Sequence, residues 1–415
     1  MSILEEANRF MEDDQVDQAI DLINRHIEHA TDNELFGYAS FYMNWGFLLE
    51  AETILSQLLA NYPDESELKI LLTDIYIEQQ RDEDAIDLLN SIPKNDEAYL
   101  QALVSLADLY QAQGLYEVAE QKLQYAKELN PSEPIIDLAL GELYYSSGDF
   151  KRAITFYEKS VRMDVPEIPI HERLAESYLN VGEFELALNF YEKTTSKNPD
   201  TLFKYGFTAY EADRNDIAIN IWNELIEEDP YYHTAYIQLA KVYEAEERIQ
   251  EAYETALKGI KMDEFNKELY FLAGSLAHQL GHEEQTENYI REAVNLDADY
   301  KEAVLFLIEI LKEKDRQDDI IELITVVKEI GGDDPLYDWE LARAYNEIES
   351  YNDALNHYRE AYNSLQHDND FLKEYGYFLM EEGRTGEAIK VFTAYLQDDP
   401  QDDEIIEYVN RLKQM

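Results

Sequence analysis

Apolar positions in this chain come in paired stripes at helical spacing. Between Leu100 and Pro131, Leu103, Leu106 and Tyr110 recur at steps of three and four, and Val118, Leu123 and Ala126 form a second stripe. Each stripe predicts an amphipathic helix. Gly114 sits between them, where a turn residue with positive φ costs little. Ala107 and Ala119 carry no bulk, so the two helices can approach closely and cross. Pro131 cannot continue the second helix and suits the start of the next first helix. One such hairpin cannot cover its own apolar face, so hairpins must stack.

The same frame returns along the chain. Upstream it gives Ala39, Tyr42, Ala51, Leu55, Leu58 and Pro63. Downstream it gives Gly141, Tyr144, Ala153 and Tyr157, then Ala175, Tyr178, Ala187, Tyr191 and Pro199. Later copies carry Ala240, Tyr243, Ala252 and Ala256, then Ala342, Tyr345, Ala354 and Tyr358, and finally Gly376, Ala388, Phe392 and Pro400. The second-helix alanines Ala19, Ala51, Ala85, Ala119, Ala153, Ala187, Ala218 and Ala252 lie 32, 34, 34, 34, 34, 31 and 34 residues apart. From Ala252 to Ala354 the gap is three periods, with Thr286 and Ile320 in the two intervening slots, and Ala388 follows one period later. About twelve units result, two of them degenerate. The unit holding Ile308, Leu311 and Ile320 lacks both small residues, which puts its helix packing in question.

A period near 34 with this order of small residue, Tyr, Ala, aromatic and Pro resembles the tetratricopeptide repeat family, over nearly the whole chain. One departure is that Trp45, Trp222 and Trp339 do not fill the family's early tryptophan position. The resemblance implies an all-α, right-handed superhelical solenoid of about twelve helix-turn-helix repeats. The run from Asp402 to Met415, with Ile405, Val409 and Leu412 on one face, is expected to be a C-terminal capping helix. We expect repeats over 1–330, two further repeats over 331–400 and the cap over 401–415. The seams Val165-Pro166-Glu167-Ile168-Pro169 and Gly331-Gly332-Asp333-Asp334-Pro335 are expected bends or longer turns.

Charge narrows the partner. With 89 acidic and 34 basic residues the formal net charge is −55, so phosphate backbones and anionic membranes are repelled over most of the surface. A basic partner would be attracted. The simpler reading is that the acid keeps a large surface hydrated. There is no cysteine, which excludes disulfides, thiolate metal sites and cysteine nucleophiles. No stretch approaches the roughly 18 uncharged apolar residues of a membrane span. The start, Met1-Ser2-Ile3-Leu4-Glu5-Glu6, lacks the basic and apolar runs of a signal peptide, so a cytoplasmic location is expected.

Nothing in the chain reads as a catalytic or cofactor site. His278 and His282 have helical metal-ligand spacing, but Gly281 at a predicted turn separates them. Asp213-Arg214-Asn215-Asp216 lacks the glycine and closing glutamate of a calcium loop. Phosphate-binding glycine loops and nucleophile elbows are missing. No metal, no cofactor and no enzymatic activity are expected.

In tetratricopeptide proteins the first helix of each hairpin lines a concave groove. Carried over by resemblance, the groove positions one residue after the small slot are Asp74, Asp108, Glu142 and Glu176, followed by Lys241, Ser275 and Arg343. One turn further along lie Ile77, Gln111, Tyr145 and Leu179, and the shortened unit offers Phe203, Phe207 and Tyr210. Family members that clamp acidic tails do so through Lys, Asn and Arg at these positions, which are acids here. An acidic ladder ending in aromatics suits a Lys/Arg-rich segment. The competing readings are solvated groove acids and aromatics that belong to the core. The expected function is therefore a non-catalytic scaffold or adaptor holding a protein or peptide, with a regulatory peptide sensor or a chaperone-like assembly factor as the alternative.

Overall fold

The computed structural model describes residues 2–162 and 168–413. They form 25 α-helices, from α1 (Ile3–Glu12) to α25 (Asp403–Leu412), and no strand. Helices α1 to α24 pair into twelve antiparallel hairpins, α1 with α2 through α23 (Asn369–Glu381) with α24 (Thr385–Asp398). α25 lies alone on α24. It buries Ile405 and Val409 on that side, as a cap requires, and Asp402 accepts the Ile405 N–H at its start.

Every hairpin turns on one residue in the left-handed region. These residues are Asp14, Gly46, Gln80, Gly114, Gly148, Gly182, Asp213, Glu247, Gly281, Asp315, Glu349 and Gly383. Five residues after each comes the second-helix slot, so Thr286 and Ile320 stand in register with the alanines. Both are buried.

The slots are small because a large side chain from the second helix lies against the first. A Cβ added at Gly206 would meet Trp222 Nε1 at 2.4 Å, and one at Gly141 would meet Tyr157 Cδ1 at 2.7 Å. Trp222 is fully buried there and donates its indole N–H to the Phe203 carbonyl at 3.2 Å. The hairpin without small slots behaves differently. Ile308 on α19 (Lys301–Glu313) and Ile320 on α20 (Gln317–Glu329) are completely buried, yet these two helices approach each other less closely than those of any other hairpin. Two branched side chains at the crossing hold the backbones apart.

The chain divides into two compact units, Met1–Ser196 with six hairpins and Lys197–Met415 with six hairpins and the cap. The division falls where the repeat period contracts to 31 residues. Of the first proline seam, Val165, Pro166 and Glu167 lie outside the described residues, while Pro169 caps α11 (Ile170–Asn180). The Gly331–Pro335 join lies inside the second unit. There Asp334 caps α21 (Pro335–Glu347) and pairs with Lys301 at 2.6 Å.

Candidate interaction face

Within each unit first helices touch one another, as α7 (Tyr99–Ala112) touches α9 (Pro134–Ser146) in the first and α15 (His233–Ala245) touches α17 (Lys267–Gln279) in the second, so they share one face of the unit. The helical period puts the residue after each small slot on that face. In the first unit these residues are Asp74 on α5 (Ser66–Glu78), Asp108 on α7, Glu142 on α9 and Glu176 on α11.

The four acids divide into two kinds. Glu142 accepts the Tyr157 hydroxyl at 2.5 Å, and Glu176 accepts that of Tyr145. Between them lies Arg173, its Nε 3.6 Å from Glu142 and its Nη1 3.7 Å from Glu176. The guanidinium carbon stands 4.4 Å from the Tyr145 ring centroid. Glu176 is buried, and Tyr145, half-buried, is pushed up to about 12 by burial and by its bond to Glu176. These residues form a closed network in which the cation comes from the chain itself.

Asp74 and Asp108 have no such partner. Among the described residues neither makes a hydrogen bond or an ion pair. Both keep access to solvent. Burial by the surrounding walls still pushes the Asp108 carboxyl up to about 6, with repulsion from Glu142 adding to it. Asp74 is raised by burial first and by Glu78 second. Arg173 stands 31 residues after Glu142. The residues 31 after Asp74 and Asp108 are Ser105 and Ala139, so no cation is supplied at those steps.

The aromatic positions belong to the second unit and also divide. Phe203 on α13 (Pro199–Glu211) is partly buried and packs against Trp222 and Tyr232, at 6.1 and 5.3 Å between ring centroids. Phe207 and Tyr210 are exposed on the same helix. Farther along, Arg343 on α21 bonds Glu374 on α23 through Nε and Nη2, and its guanidinium stacks on Trp339 at 4.0 Å. Trp339 and Tyr358 also donate to Glu374, at 2.8 and 2.9 Å. Arg173, Tyr157 and Glu374 were not among the expected site residues. Their spacing of 31 from a groove position, or of four from a second-helix alanine, is the signal that finds them.

His278 and His282 face different neighbours. The first packs edge-on to Phe306 and the second edge-on to Tyr253, on either side of the Gly281 turn. Among the described residues no group of three or more His, Asp or Glu is arranged to hold a metal, and no helix is long and apolar enough to cross a membrane.

Twelve helical hairpins, all but one crossing at small slots and each turning on one left-handed residue, are the architecture of a tetratricopeptide-repeat protein. Family models agree. The model described as YpiA-like, tetratricopeptide repeats matches residues 111–165, and YpiA-like, C-terminal tetratricopeptide repeats matches 335–402. General tetratricopeptide-repeat models match 48–109, 170–202, 233–266 and 267–300. The TPR repeat-containing protein YpiA of Bacillus subtilis (strain 168) is 37% identical over 416 residues, covering 99% of this chain and 98% of that protein. The chain belongs to the YpiA-like family of tetratricopeptide-repeat proteins. Among solved structures it is similar to YrrB, a TPR protein with an unusual peptide-binding site, at 17% identity over 44% of this chain and 95% of that one, with a TM-score of 0.37. It is also similar to the APC/C hetero-tetramer Cut9-Hcn1, at 13% identity over 98% of this chain and 95% of that one, with a TM-score of 0.36.

Proposed function

We propose that this protein is a non-catalytic cytoplasmic scaffold that holds a protein or peptide segment against the inner faces of its first helices, and that the segment received by the first unit is basic. The observation that carries this reading is the pair of uncompensated carboxylates Asp74 and Asp108. They stand at the register where the chain elsewhere seats its own arginine. A carboxylate kept ionised where burial has raised its pKa gains most when a cation arrives. Phe207 and Tyr210 offer exposed ring faces in the second unit, suited to apolar or cationic side chains.

The test is affinity capture at about 50 and about 300 mM salt, where screening differs strongly, comparing wild type with an Asp74→Asn/Asp108→Asn variant. Glu142 and Glu176 are left intact because their loss would unseat Arg173. Basic proteins that elute with salt and disappear with the variant support the reading. Partners that persist unchanged in both overturn the acidic face as the binding surface.

A further inference from the structure

In the second unit a hollow of about 430 Å³ borders the α19–α20 hairpin, whose backbones Ile308 and Ile320 hold apart. Lys312 on α19, Gln317 at the start of α20, and Arg343 and Asn346 on α21 line it, with Glu374 of α23 in its wall. Lys312 and Asn346 each stand four residues after the slots Ile308 and Ala342, and Arg343 stands one after, so the hollow opens on the face the first helices share. The charges in this wall are already matched. Lys312 Nζ pairs with Glu309 at 2.9 Å and with Glu340 at 2.5 Å, and Arg343 donates to Glu340 at 2.9 Å as well as to Glu374. Glu374 also accepts from Trp339 and Tyr358, which fills its lone pairs. Hydrogen-bonding capacity remains where charge does not. Among the described residues the side-chain amides of Gln317 and Asn346 make no hydrogen bond, although both residues are partly buried. Lys312 keeps one N–H and Arg343 two.

We infer that this hollow is the seat for a side-chain carboxamide, glutamine or asparagine, of the bound segment, exchanging hydrogen bonds with Asn346 while its oxygen takes a spare N–H of Arg343. The inference rests on the scaffold reading and assigns the second unit a contact of its own. Asn346 lies three residues after Arg343 on the same helix face, so one carboxamide can span both. Other side chains fit less well. A lysine or arginine would sit beside two like charges, facing a carboxylate whose lone pairs are full. A carboxylate would meet two cations already shared among three glutamates, and would give up its hydration for no unmatched charge. An apolar side chain would take water from both amides and return no hydrogen bond. A carboxamide brings donors and an acceptor without charge, which complements the two amides and the spare N–H groups.

The probes are blocked alanine pentapeptides whose central residue is glutamine, asparagine, glutamate, lysine or alanine, titrated into the full, isotope-labelled chain. The reporter is the indole N–H resonance of Trp339, which donates to Glu374 in the wall; with three tryptophans in the protein it is readily assigned. The glutamine or the asparagine peptide should shift it saturably, and the one that does so at lower concentration names the source of the carboxamide. The glutamate, lysine and alanine peptides should leave it in place. Asn346→Ala should weaken binding about tenfold, as loss of two neutral hydrogen bonds implies, and Gln317→Ala should act in the same direction. If neither amide peptide moves the resonance, if glutamate or alanine moves it as far, or if Asn346→Ala changes nothing, the seat is overturned. Each of those outcomes leaves the salt-sensitive capture through Asp74 and Asp108 untouched, so the scaffold reading stands or falls on that capture.

Discussion

Arg343 and Glu374 reproduce, with the charges exchanged, the step between Glu142 and Arg173. In each pair the first residue follows a small slot, the second comes 31 residues later, and a tyrosine of the intervening second helix donates to the glutamate. The position therefore has a geometry that accepts an ion pair in either order. Arg343→Glu alone should place two carboxylates together and cost about 1–2 kcal/mol after solvent screening. Adding Glu374→Arg should restore at least half of that. Urea unfolding midpoints of the two single variants and the double variant check this, and additive losses would show that the order matters.

The slot glycines make a packing prediction. A methyl group at Gly206 would overlap the Trp222 indole, which is fully buried and cannot swing away. Gly206→Ala should cost about 1–3 kcal/mol, the usual range for overpacking. Adding Trp222→Leu should recover part of the loss. Thermal unfolding followed by tryptophan fluorescence in the single variant would register it.

The turn residues make the opposite kind of prediction. Glu247 and Glu349 hold φ of 58° and 61°, where a side chain is strained and glycine is not. Glu247→Gly should raise stability by about 0.5–1 kcal/mol, the reverse of what glycine does within a helix. The same change at Glu251, the third residue of the following helix, serves as the control and should destabilise. Chemical denaturation of both variants measures the sign.

Asp108 should make stability and binding move in opposite directions with pH. Its folded pKa is about 6, raised from an ordinary 3.8 by burial and then by Glu142. A carboxyl with a raised folded pKa contributes stability below its unfolded pKa and loses it as pH rises through the folded value. Asp108→Asn should therefore match wild type near pH 4 and be more stable near pH 7, by less than about 1 kcal/mol because the group is solvent-accessible. Binding of a basic peptide should instead strengthen from pH 5 to pH 7 as the carboxylate ionises. Urea titrations at pH 4 and 7, with peptide anisotropy across the range, test both halves.

Much of this architecture was legible in the sequence because it depends on local spacing. Leu103, Leu106 and Tyr110 lie on one face of any α-helix, Gly114 turns cheaply wherever it stands, and the alanine ruler set the count of hairpins that the left-handed residues confirm. The same arithmetic put Asp74, Asp108, Glu142 and Glu176 on first helices, one residue past the slot. Tertiary structure decided which of those acids remain available. Arg173 meets Glu176 on its own helix, but it reaches Glu142 across a distance that depends on how neighbouring hairpins are stacked, and Phe203 packs against Trp222 while Phe207, four residues on, is exposed. Helical periodicity fixes a side chain's direction about its own axis, which the sequence alone determines. Its partner depends on whether packing brings an atom of a second helix to within about 3–4 Å of it, and only the packed chain sets that distance.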